Sequence, residues 1–248
     1  MIVRLENRPV GIIGLGDLGG RLSTQILLSG YRVLAFDANP SVEYVPRIAV
    51  DPELDTSTLD EQSFSITSMA DILHACGIVH WAVASSQLEN LPPVPKDCSV
   101  VLHDSVMNNS AIALNKRPEK DQFAIAHCLM NDVKRVLVST DYGNYKCVSQ
   151  HLSNIGLEPK DTTVSEHDRL MARSQGVFAL LIELGIREEL DKDFADGNLT
   201  PSALELRAAV VNREANWTKQ TIDSILGNPK LLPFIDEMSN LLKVDNDH

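Results

Sequence analysis

"GIIGLGDLGG", residues 11–20, decides how the rest of the chain is read. Gly14, Gly16 and Gly19 stand in the spacing G-x-G-x-x-G. Alone, that spacing marks a glycine-rich turn. Its surroundings give it meaning. "RPVGIIGLG" reads as a short buried strand entering the turn. "DLGGRLSTQILLSG" follows with Leu18, Leu22, Ile26 and Leu27 at helical spacing, and Gly30 closes it. "YRVLAFDANP" reads as a second strand ending in Asp37. Strand, helix and strand within about thirty residues make a βαβ unit.

In that setting the glycines have separable tasks. Gly14 makes the tight turn, Gly16 lets a pyrophosphate approach the backbone, and Gly19 lets helix and strand pack closely. The helix start, with Asp17 and Leu18, offers unpaired N–H groups and a partial positive charge to phosphate. Asp37 can accept hydrogen bonds from both ribose hydroxyls and repels a 2′-phosphate, which favours NAD over NADP. The plainer alternative is a glycine turn with no ligand and an ordinary strand-end acid.

The alternation continues downstream. "SMADILHAC" reads as a helix and "GIVHWAVA" as a strand. "LPPVPKDC" is a proline-rich connector, and "SVVLHDS", "FAIAHCL" and "VKRVLVS" are further strands. "NYKCVSQHLSNIG" is an amphipathic helix, and "LEPKDTTVS" a closing edge strand. The pattern predicts an α/β fold with a Rossmann-type, doubly wound, mostly parallel sheet. After residue 165 the strand signals stop. Three helical patterns follow: "EHDRLMARSQGVFALLIELGIREEL", "TPSALELRAAVVNREANWTKQTIDSILG" and "PKLLPFIDEMSNLLKV". The expected division is a dinucleotide-binding domain over 1–164 and a smaller all-helical domain over 165–248. So short a helical part needs a partner surface, so it is expected to dimerise or to pack on the first domain.

Bulk properties exclude some classes. The net charge of −12 argues against nucleic acid as a partner. An anionic substrate needs a local cluster of basic or N–H groups. Cys76, Cys98, Cys128 and Cys147 form neither a C-x-x-C pair nor a metal-ligand spacing, which suits a reduced, cytoplasmic protein with no metal. "MIVRLENRPV" lacks the apolar core of a signal peptide, and no run is long enough to span a membrane.

Two further clusters carry candidate chemistry. In "AIAHCLMND", His127 sits just past an apolar strand, where α/β enzymes place reactive groups, although a lone histidine there is often structural. In "VSEHDRLMARSQG", Ser165 and Asp168 resemble a capping box at a helix start; the plainer alternative is that Glu166 and Asp168 simply complement the helix dipole. A nucleophilic Cys128 beside His127 is disfavoured, because neighbours along a strand point to opposite sides. His127, His167 and Asp168 lack zinc-ligand spacing.

Taken in order, the glycine loop, "LPPVPKDCSVVLHDSV" (91–106), "AHCLM" (126–130) and "EHDRLMARSQ" (166–175) resemble the prephenate and arogenate dehydrogenases of tyrosine biosynthesis. "TPSALELRAAV" (200–210) fits more loosely. The resemblance covers most of the chain. It implies a Rossmann domain followed by a helical domain that forms a homodimer. It also implies an NAD(P)-linked oxidative decarboxylation of a cyclohexadienol acid. His127 stands where the family's catalytic histidine stands and would polarise the substrate hydroxyl. Ser105 matches a serine that helps orient that site. "EHD", with His167, and Gln175 would line the cleft.

The departures from the family concern charge. Met107 replaces a lysine, Cys128 a proline, and Phe178 and Ala179 stand where basic residues meet substrate carboxylates. Ala203 stands where an arginine is usual. Each charge-assisted bond to a carboxylate is worth roughly 1.5–3 kcal/mol, so such losses weaken dicarboxylate binding by orders of magnitude. Arg173 and Arg207 are the candidate replacements, the latter one helical turn beyond Ala203; the bland alternative is that both are surface arginines. The sequence thus points to a dehydrogenase of small carboxylate substrates. Two alternatives stay open: a divergent NAD-dependent enzyme for another hydroxy acid, and a non-catalytic NAD-binding regulatory module.

Overall fold

The computed structural model describes residues 8–39, 64–128, 135–196 and 200–244. The chain divides into two compact units, Met1–Val164 and Ser165–His248.

The first unit is built on eight strands: β1 Val10–Ile13, β2 Val33–Phe36, β3 Phe64–Ile66, β4 Ile78–Trp81, β5 Ser99–His103, β6 Phe123–Cys128, β7 Arg135–Ser139 and β8 Glu158–Thr162. Their order in one sheet is β3-β2-β1-β4-β5-β6-β7-β8. The first six run parallel, β7 is antiparallel to β6, and β8 is parallel to β7. The six-strand part has the 3-2-1-4-5-6 order of the Rossmann fold, whose crevice opens between β1 and β4. Helices α1 (Asp17–Leu28), α2 (Met69–Ala75), α3 (Met107–Leu114) and α4 (Tyr145–Asn154) cover it. Leu22 and Ile26 of α1 and Val148 and Leu152 of α4 pack on one face, against Val10, Ile12, Ile78, Val101 and Ala126. Ile72 and Leu73 of α2 and Met107 and Leu114 of α3 pack on the other, against Ile13, Val79, Val100, Leu102 and Ile125. Both faces are buried, which is why β1, β4 and β5 read as continuous apolar runs.

The second unit contains α5 (Val164–Met171, its first residue closing the first unit), a π-helical turn over Ala172–Gly176, α6 (Val177–Glu183), α7 (Ile186–Ala195), α8 (Pro201–Asn216), α9 (Lys219–Leu226) and α10 (Leu231–Val244). Ala179 of α6 and Ile222 and Ile225 of α9 form its small core. Thr200 caps α8 by accepting from Ala203 N–H, with Pro201 in the first turn.

Several local expectations need correction. Strand β3 and helix α3 carry no clear pattern in the sequence; β3 has three residues and is largely exposed. The first long helical pattern breaks at Gly185, whose φ of +66° is left-handed. The second breaks at Trp217, where Thr218 starts α9 by accepting from Thr221 N–H. The capping box fails, because α5 begins at Val164 and places Ser165 inside the helix. Asp168 is buried rather than complementing the dipole from solvent, whereas Glu166 does lie in the first turn.

Candidate functional site

The glycine loop leaves β1 and turns at Gly14, whose φ is +94°. Gly14 N–H donates to Phe36 O at 2.8 Å, tying the turn to β2. A Cβ on Gly14 would stand 2.5 Å from Val83 Cγ1 and 2.9 Å from Ala82 O. A Cβ on Gly19 would overlap the carbonyl oxygen of Gly14, so α1 packs directly on the turn. At Gly16 the corresponding space is open for 4 Å. Gly16 is also the N-cap of α1, and as a glycine it brings no side chain to cap that end. The helix therefore presents first-turn N–H groups beside an open space, the arrangement that receives phosphate.

Three other residues shape this loop. Leu18 packs into the core below, so its N–H is the part it offers a ligand. Asp17 pairs with Arg21 one turn on, at 3.2 Å. Asp37 follows β2, half-buried. Its Oδ2 accepts from Leu15 N–H at 2.7 Å and its Oδ1 from Asn39 N–H at 2.8 Å. Each oxygen keeps acceptor capacity, and the carboxylate is held in place against the glycine loop.

His127 is the penultimate residue of β6, inside the strand rather than past it, paired in register with Leu137. It is 8% exposed. Alternation along β6 puts Ala124, Ala126 and Cys128 on the α1/α4 face, so His127 points to the α2/α3 face. Ser105 lies two residues beyond β5, half-buried, and β5 neighbours β6. Asp104, which pattern reading overlooked, holds this turn. Its Oδ1 accepts from Val106 N–H at 3.1 Å and its Oδ2 from Ser110 Oγ at 3.0 Å. Its own N–H donates to Ala126 O at 3.1 Å, joining the turn to β6 beside His127. The glycine loop, Ser105 and His127 thus share the carboxyl edge of one parallel run of strands, β1-β4-β5-β6. Cys128 lies on the opposite face from His127, and burial pushes its thiol up to about 12, so it carries no thiolate at neutral pH. Leu129 and Met130, the end of the "AHCLM" stretch, lie outside the described residues.

The second unit holds the remaining candidates. His167 is fully buried, and its Nδ1 lies 2.8 Å from Asp168 Oδ1. Asn228 Nδ2 donates to the carbonyl of Asp168 at 2.8 Å. Arg173 and Gln175 lie in the π-helical turn, a distortion that often marks functional segments. Gly176 ends the turn, and a Cβ there would overlap Leu231. Arg173 is exposed, 3.4 Å from Glu237 and 5.9 Å from the Phe234 ring. Arg207 Nε donates to Asp191 Oδ1 at 2.6 Å, and its guanidinium lies 4.5 Å over Phe194. Both arginines therefore already face carboxylates of their own unit. Met107 is fully buried at the start of α3, where a lysine would need a buried partner. A cation that pattern reading passed over is Arg213, 3.7 Å over the ring of Phe178 and 6.0 Å from Trp217. Its signal was spacing: Arg213 and Trp217 are one helical turn apart. Among the described residues, no group of three or more His, Cys, Asp or Glu side chains could hold a metal ion. No described helix is long and apolar enough to cross a membrane.

No family model matches the sequence, and no curated protein matches it. Solved structures do match its fold. One is a Corynebacterium glutamicum protein provisionally described as a prephenate dehydrogenase. It is 18% identical, with a TM-score of 0.67 over 96% of this chain and 80% of the other. A second is prephenate dehydrogenase from Aquifex aeolicus in complex with hydroxyphenyl propionate and NAD+. It is 16% identical, with a TM-score of 0.66 over 97% of this chain and 90% of the other. A third is Synechocystis arogenate dehydrogenase, 12% identical, with a TM-score of 0.55 over 96% and 92%. The chain has the fold of these dehydrogenase structures, a Rossmann-type α/β sheet followed in sequence by a helical part.

Proposed function

We propose that the chain is an NAD-dependent oxidoreductase, a divergent relative of the prephenate and arogenate dehydrogenases. The observation that carries this reading is the start of α1 at Gly16, where the space is open, with Asp37 bound to the same loop. Gly14, Gly16, Asp17, Leu18, Gly19 and Asp37 would hold the dinucleotide. Backbone N–H groups would meet the pyrophosphate and Asp37 the ribose. Asp37 would repel a 2′-phosphate, so NAD is the cofactor rather than NADP. When bound, the nicotinamide supplies a hydride acceptor. His127 would accept the hydrogen bond of the substrate hydroxyl and hold its proton, with Ser105 orienting that contact.

The substrate is a small hydroxylated carboxylate, and His167, Gln175, Arg173 and Arg207 are its candidate contacts from the helical unit. Exposed Leu170, Leu184, Phe194 and Leu232 on that unit suit a homodimer interface. The four cysteines are free thiols, which suits a cytoplasmic protein. The test is NADH formation from NAD with prephenate or arogenate. Turnover is expected with the wild type and is lost in His127→Asn, whereas no NADH from either substrate removes the tyrosine-pathway assignment.

One observation favours a second reading, an enzyme for a less anionic hydroxy acid. Arg173 and Arg207 are engaged by Glu237 and Asp191, and Phe178, Ala179 and Ala203 bring no charge. A panel of hydroxy acids separates the two, and ordinary efficiency on prephenate refutes the second. NAD binding without turnover on any panel member would leave a non-catalytic NAD-binding module.

A further inference from the structure

The sheet face opposite His127 carries a polar chain that the proposed chemistry does not use. Strand alternation turns His80 of β4, His103 of β5 and Cys128 of β6 toward α4, which adds His151. His80 Nδ1 lies 2.9 Å from His103 Nε2, and His80 Nε2 lies 3.0 Å from His151 Nε2. Cys128 Sγ lies 3.6 Å from His103 Nδ1. His80 and His151 are fully buried and His103 is 8% exposed. His151 Nδ1 is buried without a hydrogen-bond partner.

The proton inventory of this chain is closed. Four ring nitrogens face one another in two gaps, and each gap holds one hydrogen without conflict. The two outer nitrogens, His103 Nδ1 and His151 Nδ1, hold one each. The chain therefore accommodates four N–H groups, and three neutral rings supply three. A first added proton completes the set by placing an N–H on His151 Nδ1, where no acceptor stands. A second forces N–H against N–H across 2.9 or 3.0 Å. In the neutral chain, the arrangement that avoids a buried unpaired donor puts hydrogens on His151 Nε2, His80 Nδ1 and His103 Nδ1, the last donated to Cys128 Sγ.

Among the described residues, nothing but burial and the neighbouring rings themselves shifts His80, His103 or His151, so no carboxylate offsets a positive charge there. Tyr31, Cys128, Tyr145 and Cys147 are the phenols and thiols packed against this side of the core. Tyr31 meets His151 edge-on, with centroids 6.1 Å apart. Burial pushes His103 and His151 down to about 4, and burial, with the two neighbouring rings adding to it, holds His80 well below the usual histidine range.

We propose that the Cys128–His103–His80–His151 chain is an acid-released clamp: while its rings are uncharged it joins the ends of β4, β5 and β6 to α4, and proton uptake frees the strand ends bearing Ser105 and His127. The roles of Ser105 and His127 rest on the function proposed above; the clamp does not. Unfolded histidines titrate near about 6.5, above their folded values, so the unfolded state binds more protons. The stability contributed by the chain is complete above that pH and is lost as pH falls toward about 4.

The experiment uses the full chain carrying Trp217→Phe, so that buried Trp81, next to His80, reports denaturant unfolding between about pH 4.5 and 7.5. The clamp requires the unfolding constant to rise by about three decades for each unit that the pH falls near pH 5, one for each ring. In His80→Phe that slope drops by at least one decade. Should His80→Phe fail to fold, ¹⁵N-histidine NMR of the wild type decides. The clamp requires single tautomers, with His80 protonated on Nδ1 and none of the three rings titrating above about pH 5. Rings that titrate near pH 6.5 in the folded protein, or a slope unchanged in His80→Phe, overturn it. Neither readout involves a substrate, so failure of the NADH assay with a normal titration removes the proposed function and leaves the clamp.

Discussion

The two units of this chain hold themselves together differently. The first buries whole strands between two helical layers, and residues such as Ile12, Ala35, Val100 and Ile125 have no exposure at all. The second has a core of Ala179, Ile222 and Ile225 and leaves Leu184 and Leu232 70% and 73% exposed. Its helices rely more on end caps and ion pairs: Thr200 on α8, Thr218 on α9, and the Arg187, Asp191, Arg207 and Glu214 network. A sheet buried on both faces fixes each side chain by alternation, whereas a helix in a thin bundle commits one stripe and leaves the rest free for a partner.

The sharpest way to break this comparison is Gly19→Ala. Its methyl group would overlap the backbone of Gly14, and neither backbone can yield without opening the turn. Overpacking of this kind costs about 3 kcal/mol, and NAD affinity should fall at least about 100-fold. Calorimetry with NAD and denaturant unfolding measure both effects. Unchanged affinity would mean that the turn does not hold the dinucleotide.

A paired core truncation compares the units directly. Ile12→Ala should cost about 4 kcal/mol, because the rigid sheet cannot close over the cavity. Ile222→Ala, 7% exposed in the thin bundle, should cost about 2 kcal/mol. Equal losses would show that the helical unit is packed as tightly as the sheet.

The smallest effect belongs to the helix ends. Thr218→Ala removes the acceptor that Thr221 N–H uses at 3.1 Å and should lower stability by about 1 kcal/mol. A change below about 0.3 kcal/mol would mean that water replaces the cap.

These contrasts also explain what pattern reading could see. The glycine turn, α1 and the long buried strands were legible because each imposes a chemical period that few other structures satisfy. Strand β3 was not, since three largely exposed residues have no period to read. Helix breaks at Gly185 and Trp217 were hidden because the apolar spacing continues across them. Asp168 looked like a helix-end acid because nothing in the linear pattern says that His167 and Asp168 turn inward together. Arg173 and Arg207 looked available for a ligand because their partners, Glu237 and Asp191, lie 64 and 16 residues away.

Sequence alone determined the α/β class, the βαβ start, the acid at the end of β2 and the helical character of the second half. These follow from local sterics and periodicity, which neighbouring residues settle among themselves. Only the tertiary structure decided that Asp104 binds the Ser105 turn to the strand of His127. Only it decided that His80, His103, Cys128 and His151, spread over four elements, meet in one buried chain. Such meetings depend on strand order and register, which bring distant residues within 3–4 Å and leave no mark on the spacing between them.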